Sequence, residues 1–159
     1  MSLPIFFDTE RALSDIHWMT EELGCTGPLA GNDCITGPRP YRGSNVQKTA
    51  ILFKRELKKA GWKVEQIHEK DNLVACKGDG RRLFMAHLDS VEGSPGAIDN
   101  AAAAGTLLEI ARTSEAENYC VGFTAGEEVG FRGSKQLVQF LKKWHPKPNE
   151  LDLVVSLEL

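Results

Sequence analysis

Three short stretches of this sequence hold side chains that could do chemistry together. In His87-Leu88-Asp89 an imidazole and a carboxylate stand two residues apart at the end of an apolar run. In an extended chain, alternation turns both to one side, where the carboxylate can orient the ring, as metal-bound histidines usually require. The plain alternative is a polar strand end. Asp99 stands in Gly96-Ala97-Ile98-Asp99-Asn100, directly before four alanines and a glycine. Aspartate is a preferred helix N-cap, so Asp99 alone reads as a cap, although a helix start of small residues can press closely on a sheet. Glu127 and Glu128 are adjacent in Thr124-Ala125-Gly126-Glu127-Glu128-Val129-Gly130. A helix N-terminus accommodates one such acid. Two in a glycine turn repel each other unless a proton or a cation intervenes. A metal ion would resolve both, one glutamate binding it and the other accepting a proton from water.

These stretches need elements to carry them to one place. Residues 9–23 have apolar Leu13, Ile16 and Leu23 at helical spacing, with Gly24 as a stop. A loop rich in glycine and proline spans 25–43. Ser44 and Gln47 have capping-box spacing and open a second helix through Lys59, with Ile51, Leu52 and Leu57 as its apolar face. Residues 62–67 and 72–76 read as a strand pair around a polar turn. The run 81–90 holds a third strand whose apolar residues 83–86 suggest burial on both faces. A helix over 100–112, a strand over 119–124, a helix over 134–144 closed by His145 and Pro146, and a strand over 151–157 complete the order. Strands alternating with helices predict an α/β fold, a three-layer α/β/α sandwich around a mixed, largely parallel sheet. In such sheets, sites gather at the carboxyl ends of the strands, where the three acidic stretches fall.

Composition sets the outer bounds. The 159 residues suit one domain with a real core, and 42% hydrophobic with 26% charged residues is ordinary for a globular chain. A net charge of −3 offers no footprint for nucleic acid or an anionic membrane, and no apolar run approaches a bilayer span. Cys76 and Cys120 lie in strand-like runs and read as buried thiols, while Cys25 and Cys34 bracket the loop and are near enough in sequence to pair. With no signal-peptide pattern, the default compartment is the cytoplasm. His17, His68 and His145 read as surface or packing residues.

The stretches HLDS, PGAIDNAAAAGTLLEIAR and FTAGEEVGFRGSKQLV together resemble the zinc-dependent aminopeptidases with two co-catalytic metals. That family includes bacterial leucyl aminopeptidases and, more distantly, glutamate carboxypeptidase and the transferrin-receptor ectodomain. The resemblance covers roughly residues 83–138. It implies two Zn2+ per complete site, with His87 and Glu128 as ligands of different zincs and Asp99 bridging them, often through a cis peptide to Asn100. It implies that Asp89 orients His87, that Glu127 is the general base, and that the substrate is a peptide cut near its terminus. It further implies that residues 1–159 are the N-terminal portion of a catalytic domain, because the strand after the glutamate pair normally ends on a zinc-binding aspartate one residue beyond Leu159. Glu158 would lie about 7 Å behind that position at ~3.3 Å per residue, which argues against it as a substitute. An apolar sheet edge near 154–159 would favour self-association into a homo-oligomer.

Other readings of the same residues are a carboxypeptidase or amidohydrolase on the same metal core, and a non-catalytic module that keeps the fold. The intact acids speak against the second. The short spacing from His87 to Asp99 favours the aminopeptidase pattern over the first.

Overall fold

The computed structural model describes residues 6–20, 37–67, 71–144 and 151–158. Four α-helices and five strands follow in the order α1 (Thr9–Thr20), α2 (Ser44–Lys59), β1 (Lys63–Ile67), β2 (Asn72–Lys77), β3 (Arg82–His87), α3 (Ala103–Thr113), β4 (Tyr119–Thr124), α4 (Arg132–Trp144) and β5 (Leu153–Ser156). The strands form one mixed sheet in the order β1-β2-β4-β3-β5. β1 pairs with β2, and β2 with β4, antiparallel. β3 lies parallel to both β4 and β5, so the carboxyl ends of β3 and β4 open on the same edge.

Alternation along the strands divides the core into two. Leu73, Ala75, Ala86, Tyr119, Val121 and Phe123 face the layer of α1, α2 and α3. Val74, Leu83 and Cys120 face Leu137 and Leu141 of α4. Phe123 meets Phe53 of α2 edge-on at 4.9 Å, a packing that makes truncation of either ring cost about 3–5 kcal/mol. This is the expected three-layer sandwich.

Several local expectations need correction. Ser44 does not cap α2 through a capping box. The cap position is Gly43, without a side-chain cap bond, because the helix already begins at Ser44. Ile51 lies 54% exposed while Val46, Ala50 and Phe53 fill the buried face with Leu52 and Leu57. On α1, Leu13 is 44% exposed, and the buried side carries Ala12, Asp15, Trp18 and Met19. Ile16 packs against the core as expected, and the buried Asp15 is partnered by Arg112 of α3. Leu83 and Ala86 are buried, but Phe84, on the α1–α3 face, and Met85, on the α4 face, are only partly so.

Cys76 and Cys120 are not thiols. They face each other across β2 and β4 and form a disulfide. Their pairing follows from strand register, which two sequence positions 44 residues apart do not reveal. Leu23, the Cys25–Cys34 pairing, His68 and His145 lie outside the described residues. Among the described residues, no helix is long and apolar enough to cross a membrane.

Candidate metal centre

His87 is the last residue of β3, and its side chain is almost fully buried. Its Nδ1 lies 3.0 Å from the backbone carbonyl of Asp89 and 3.5 Å from that residue's Oδ1. Its Nε2 points the other way, 2.9 Å from Asp99 Oδ1 and 3.5 Å from Glu158 Oε2. One ring nitrogen is thus held by the chain behind it, and the other faces acids.

Asp89 does more than stand beside the imidazole. Its carboxylate is completely buried and accepts hydrogen bonds from the backbone N–H groups of Glu127 and Glu128, each at 3.3 Å. Its carbonyl orients the ring, while its carboxylate joins the end of β3 to the turn after β4. A short side chain that reaches backbone donors in two directions needs burial and a fixed turn, and both are present.

Asp99 is not a cap. It lies in a π-type turn, Ala97–Ala102, ahead of α3, with non-helical backbone angles (φ −102°, ψ 94°) and a cis peptide to Asn100. α3 begins at Ala103 without a side-chain cap, so the caps expected from composition play no part. Gly96 opens the turn in the left-handed region at φ 57°. A Cβ there would stand 2.5 Å from both Asp99 O and Ser90 Cβ, a position only glycine can fill. The turn leaves the Asp99 side chain 56% exposed toward the site. Asn100, buried behind it, donates through Nδ2 to the carbonyl of Leu157 at 2.7 Å.

The glutamate pair sits on the turn between β4 and α4. Gly126 (φ 88°) bends the chain where a Cβ would meet the ring of Tyr41 at 2.9 Å. Ala125 N–H donates to Asn72 Oδ1 at 2.7 Å, and Asn72 Nδ2 donates to Gln136 Oε1 at 2.7 Å. The turn is therefore gripped from β2 and α4 as well as by Asp89. Glu127 and Glu128 emerge half-buried.

The donor atoms gather tightly. Those of His87, Asp99 and Glu158 lie within 4.8 Å of one another, as do those of His87, Glu127 and Glu128. Glu158 reaches this group because the strand ends at Ser156. A backbone rise count ignores the length of its side chain, which here bridges the gap. Burial favours the neutral form of His87, but Asp89, then Glu158 and Asp99, outweigh it and raise its pKa to about 9. Burial pushes the Glu128 carboxyl up, and the charges of Asp99, Glu127 and Asp89 push it further while His87 pulls it down. Among the described residues, no lysine or arginine forms an ion pair with Asp99, Glu127, Glu128 or Glu158.

All five residues singled out from the sequence, His87, Asp89, Asp99, Glu127 and Glu128, therefore meet at one edge of the sheet. Asn72 and Asn100 were missed, and Glu158 was set aside on a backbone rise count although its carboxylate lies with His87 and Asp99. Asn72 carries a weak signal, an amide at the first residue of a strand. The other two depend on where β5 ends. His17 is exposed on α1.

Residues 67–159 match the family described as Peptidase family M28. No curated protein matches the chain by sequence. Among solved structures it is similar to the LapA aminopeptidase of Legionella pneumophila, at 20% identity and a TM-score of 0.72 over 96% of this chain and 43% of that one. It is also similar to BSAP, a zinc aminopeptidase from Bacillus subtilis, at 15% identity and 0.69 over 97% and 70%. A glutaminyl cyclase of Porphyromonas gingivalis aligns at 19% identity and 0.67 over 96% and 59%. At these identities the likeness is one of fold, and the chain spans less than half the length of LapA.

Proposed function

We propose, because the chain belongs to peptidase family M28, that it supplies the core of a zinc-dependent exopeptidase acting on the N-terminal bonds of peptides. The observation that carries the reading is the convergence of carboxylates from separate segments on the single imidazole of His87. An imidazole nitrogen with carboxylate oxygens is a usual donor set for zinc, and burial with the neighbouring acids holds the Glu128 carboxyl above its ordinary range.

His87, Asp99 and Glu128 are the residues that would hold zinc, two ions in a complete site. Bound there, zinc would polarise the scissile carbonyl and acidify water. Glu127 is the general base. Its carboxylate takes the proton of the water that attacks the carbonyl carbon, and returns it to the leaving amine as the C–N bond breaks. Asp89 acts through others: its carbonyl fixes the His87 ring, and its carboxylate fixes the turn that presents Glu127 and Glu128. Glu158 stands near His87 Nε2 and would add a further carboxylate.

The cytoplasmic expectation rested on the missing signal-peptide pattern and on cysteines read as thiols, and the second of these fails. The Cys76–Cys120 disulfide supports an oxidising compartment, where such bonds persist.

Zinc titration by calorimetry tests the metal reading: the chain should take up zinc, and Glu128→Gln should weaken uptake with the fold intact. Equal uptake by both would sink it. Peptides blocked at one terminus or the other then separate the modes of attack on any activity found. Cleavage only with a free C-terminus would move the assignment to a carboxypeptidase on the same core.

A further inference from the structure

The loop between the two proposed metal-ligand segments is organised around a buried charge. Arg39 is completely buried, and its guanidinium is spent on backbone carbonyls. Nε donates to Leu88 O at 2.8 Å, Nη1 to Pro95 O at 2.6 Å and Met19 O at 2.9 Å, and Nη2 to Gly96 O at 3.1 Å. Its own backbone is pinned as well. Arg39 N–H donates to Ser90 Oγ at 3.0 Å, Ser90 N–H returns a bond to Arg39 O at 3.1 Å, and Ser90 Oγ–H reaches Ser94 O at 2.8 Å.

The acceptors have a pattern. Leu88 separates His87 from Asp89, and Pro95 with Gly96 leads into the turn that carries Asp99. Residues 88–96 contain no helix or strand, so no ladder sets the distance from His87 to Asp99. Burying a guanidinium away from water is expensive for stability. It is retained where a rigid fork of donors fixes several acceptors at once, a task the point charge of lysine performs poorly. Gly96 contributes by lacking a Cβ, which would stand 3.1 Å from Arg39 Nη2. Burial lowers the guanidinium pKa to about 10, with the Asp89 charge opposing the shift, so the group stays cationic near neutrality.

We propose that Arg39 is a positioning residue whose guanidinium clamps the backbone at Leu88 to that at Pro95 and Gly96, holding the His87 imidazole and the Asp99 carboxylate at binding distance before any metal arrives. The link to metal rests on the reading of the preceding subsection. The clamp itself does not.

The test uses the 159-residue chain and its Arg39→Lys variant, measured by amide hydrogen exchange without metal and by zinc titration. Exchange over 94–101 should speed up roughly tenfold or more, as loss of at least one charge-assisted hydrogen bond requires, with α2, β2 and β4 protected as in the parent. Zinc affinity should fall about 10–100-fold, the range for loss of support behind metal ligands. Unchanged exchange over 94–101, or uniform loosening of the whole sheet, overturns the clamp. If Arg39→Lys does not fold, Ser90→Ala decides: loosening confined to 94–101 supports the clamp, and none overturns it. A parent chain that takes up no zinc, with the local loosening still seen in the variant, would remove the metal reading and leave the clamp standing.

Discussion

Two groups of acids occupy this molecule, and they are neutralised in opposite ways. Between α1, α2 and α3, Glu109 receives a two-pronged bond from Arg11 at 2.6 and 2.8 Å. Arg112 joins Asp15, Glu56 at 3.1 Å and Glu109 at 3.5 Å. At the carboxyl edge of the sheet, Asp99 and Glu158 meet one imidazole, with Glu127 and Glu128 close by. The first arrangement supplies its own counter-charges, arginines set against carboxylates. The second leaves negative charge for something else to neutralise. Adjacent acids thus mean stability in one place and binding in the other, and the available counter-charge tells them apart.

The contrast is sharpest when each group loses its cation. His87→Ala should cut zinc affinity per folded molecule more than ~100-fold, beyond the range seen for supporting residues. Because it removes a buried imidazole whose pKa its acids raise, it should also lower the melting temperature of the metal-free chain at neutral pH. Retained affinity would move the centre elsewhere. Arg112→Met should spare the metal site. It strands Asp15 and weakens the support of Glu56 and Glu109, costing roughly 3–5 kcal/mol in denaturant unfolding while zinc affinity per folded molecule holds. A drop in affinity as large as that for His87→Ala would merge the two groups and undo the comparison.

Acid should separate them next. Burial pushes Glu109 up, but Arg11, the backbone of Asp8 and Arg112 more than offset it, so its folded pKa lies below the ordinary value; Glu56 is lowered likewise by Lys59 and Arg112. Their contribution is present above the unfolded carboxylate range, near pH 4, and is lost as pH falls through the folded values. Asp15 works the other way. Burial raises it despite Arg112, so its protonation relieves a cost and blunts the loss. Melting temperature should therefore decline below about pH 4, and less steeply in Glu109→Gln. Parallel curves would deny the ion pairs their role. The smallest effect is expected from Glu128→Gln. Its carboxyl is held above its usual range by burial and neighbouring acids, so neutralising it should raise the metal-free melting temperature slightly even as zinc binding weakens.

The same contrast explains what could be read from residues alone. His87, Asp89, Glu127 and Glu128 were legible because each lies at the end of an apolar run, where alternation and sheet geometry constrain its direction. Strands β1 to β4 and α2 were legible for the same reason of periodicity. Asp99 was half-legible: its position was clear, but a preference for aspartate at caps concealed a turn that begins six residues before α3. Asp15 and Arg112 were hidden, since burial of a charge depends on a partner 97 residues away. The Cys76–Cys120 bond and the reach of Glu158 depend on register and on where a strand stops, which local pattern does not encode.

The bond from Asn100 to the carbonyl of Leu157 also has a meaning in time. A chain emerging from the ribosome makes the turn at Asn100 well before its acceptor, 57 residues later, has left the exit. Until then the amide of Asn100 has only water to satisfy it. The helical layer and the β1–β2 pair can assemble during that interval, but the acidic edge cannot close. Synthesis itself would delay the metal-binding corner until most of the core is already in place.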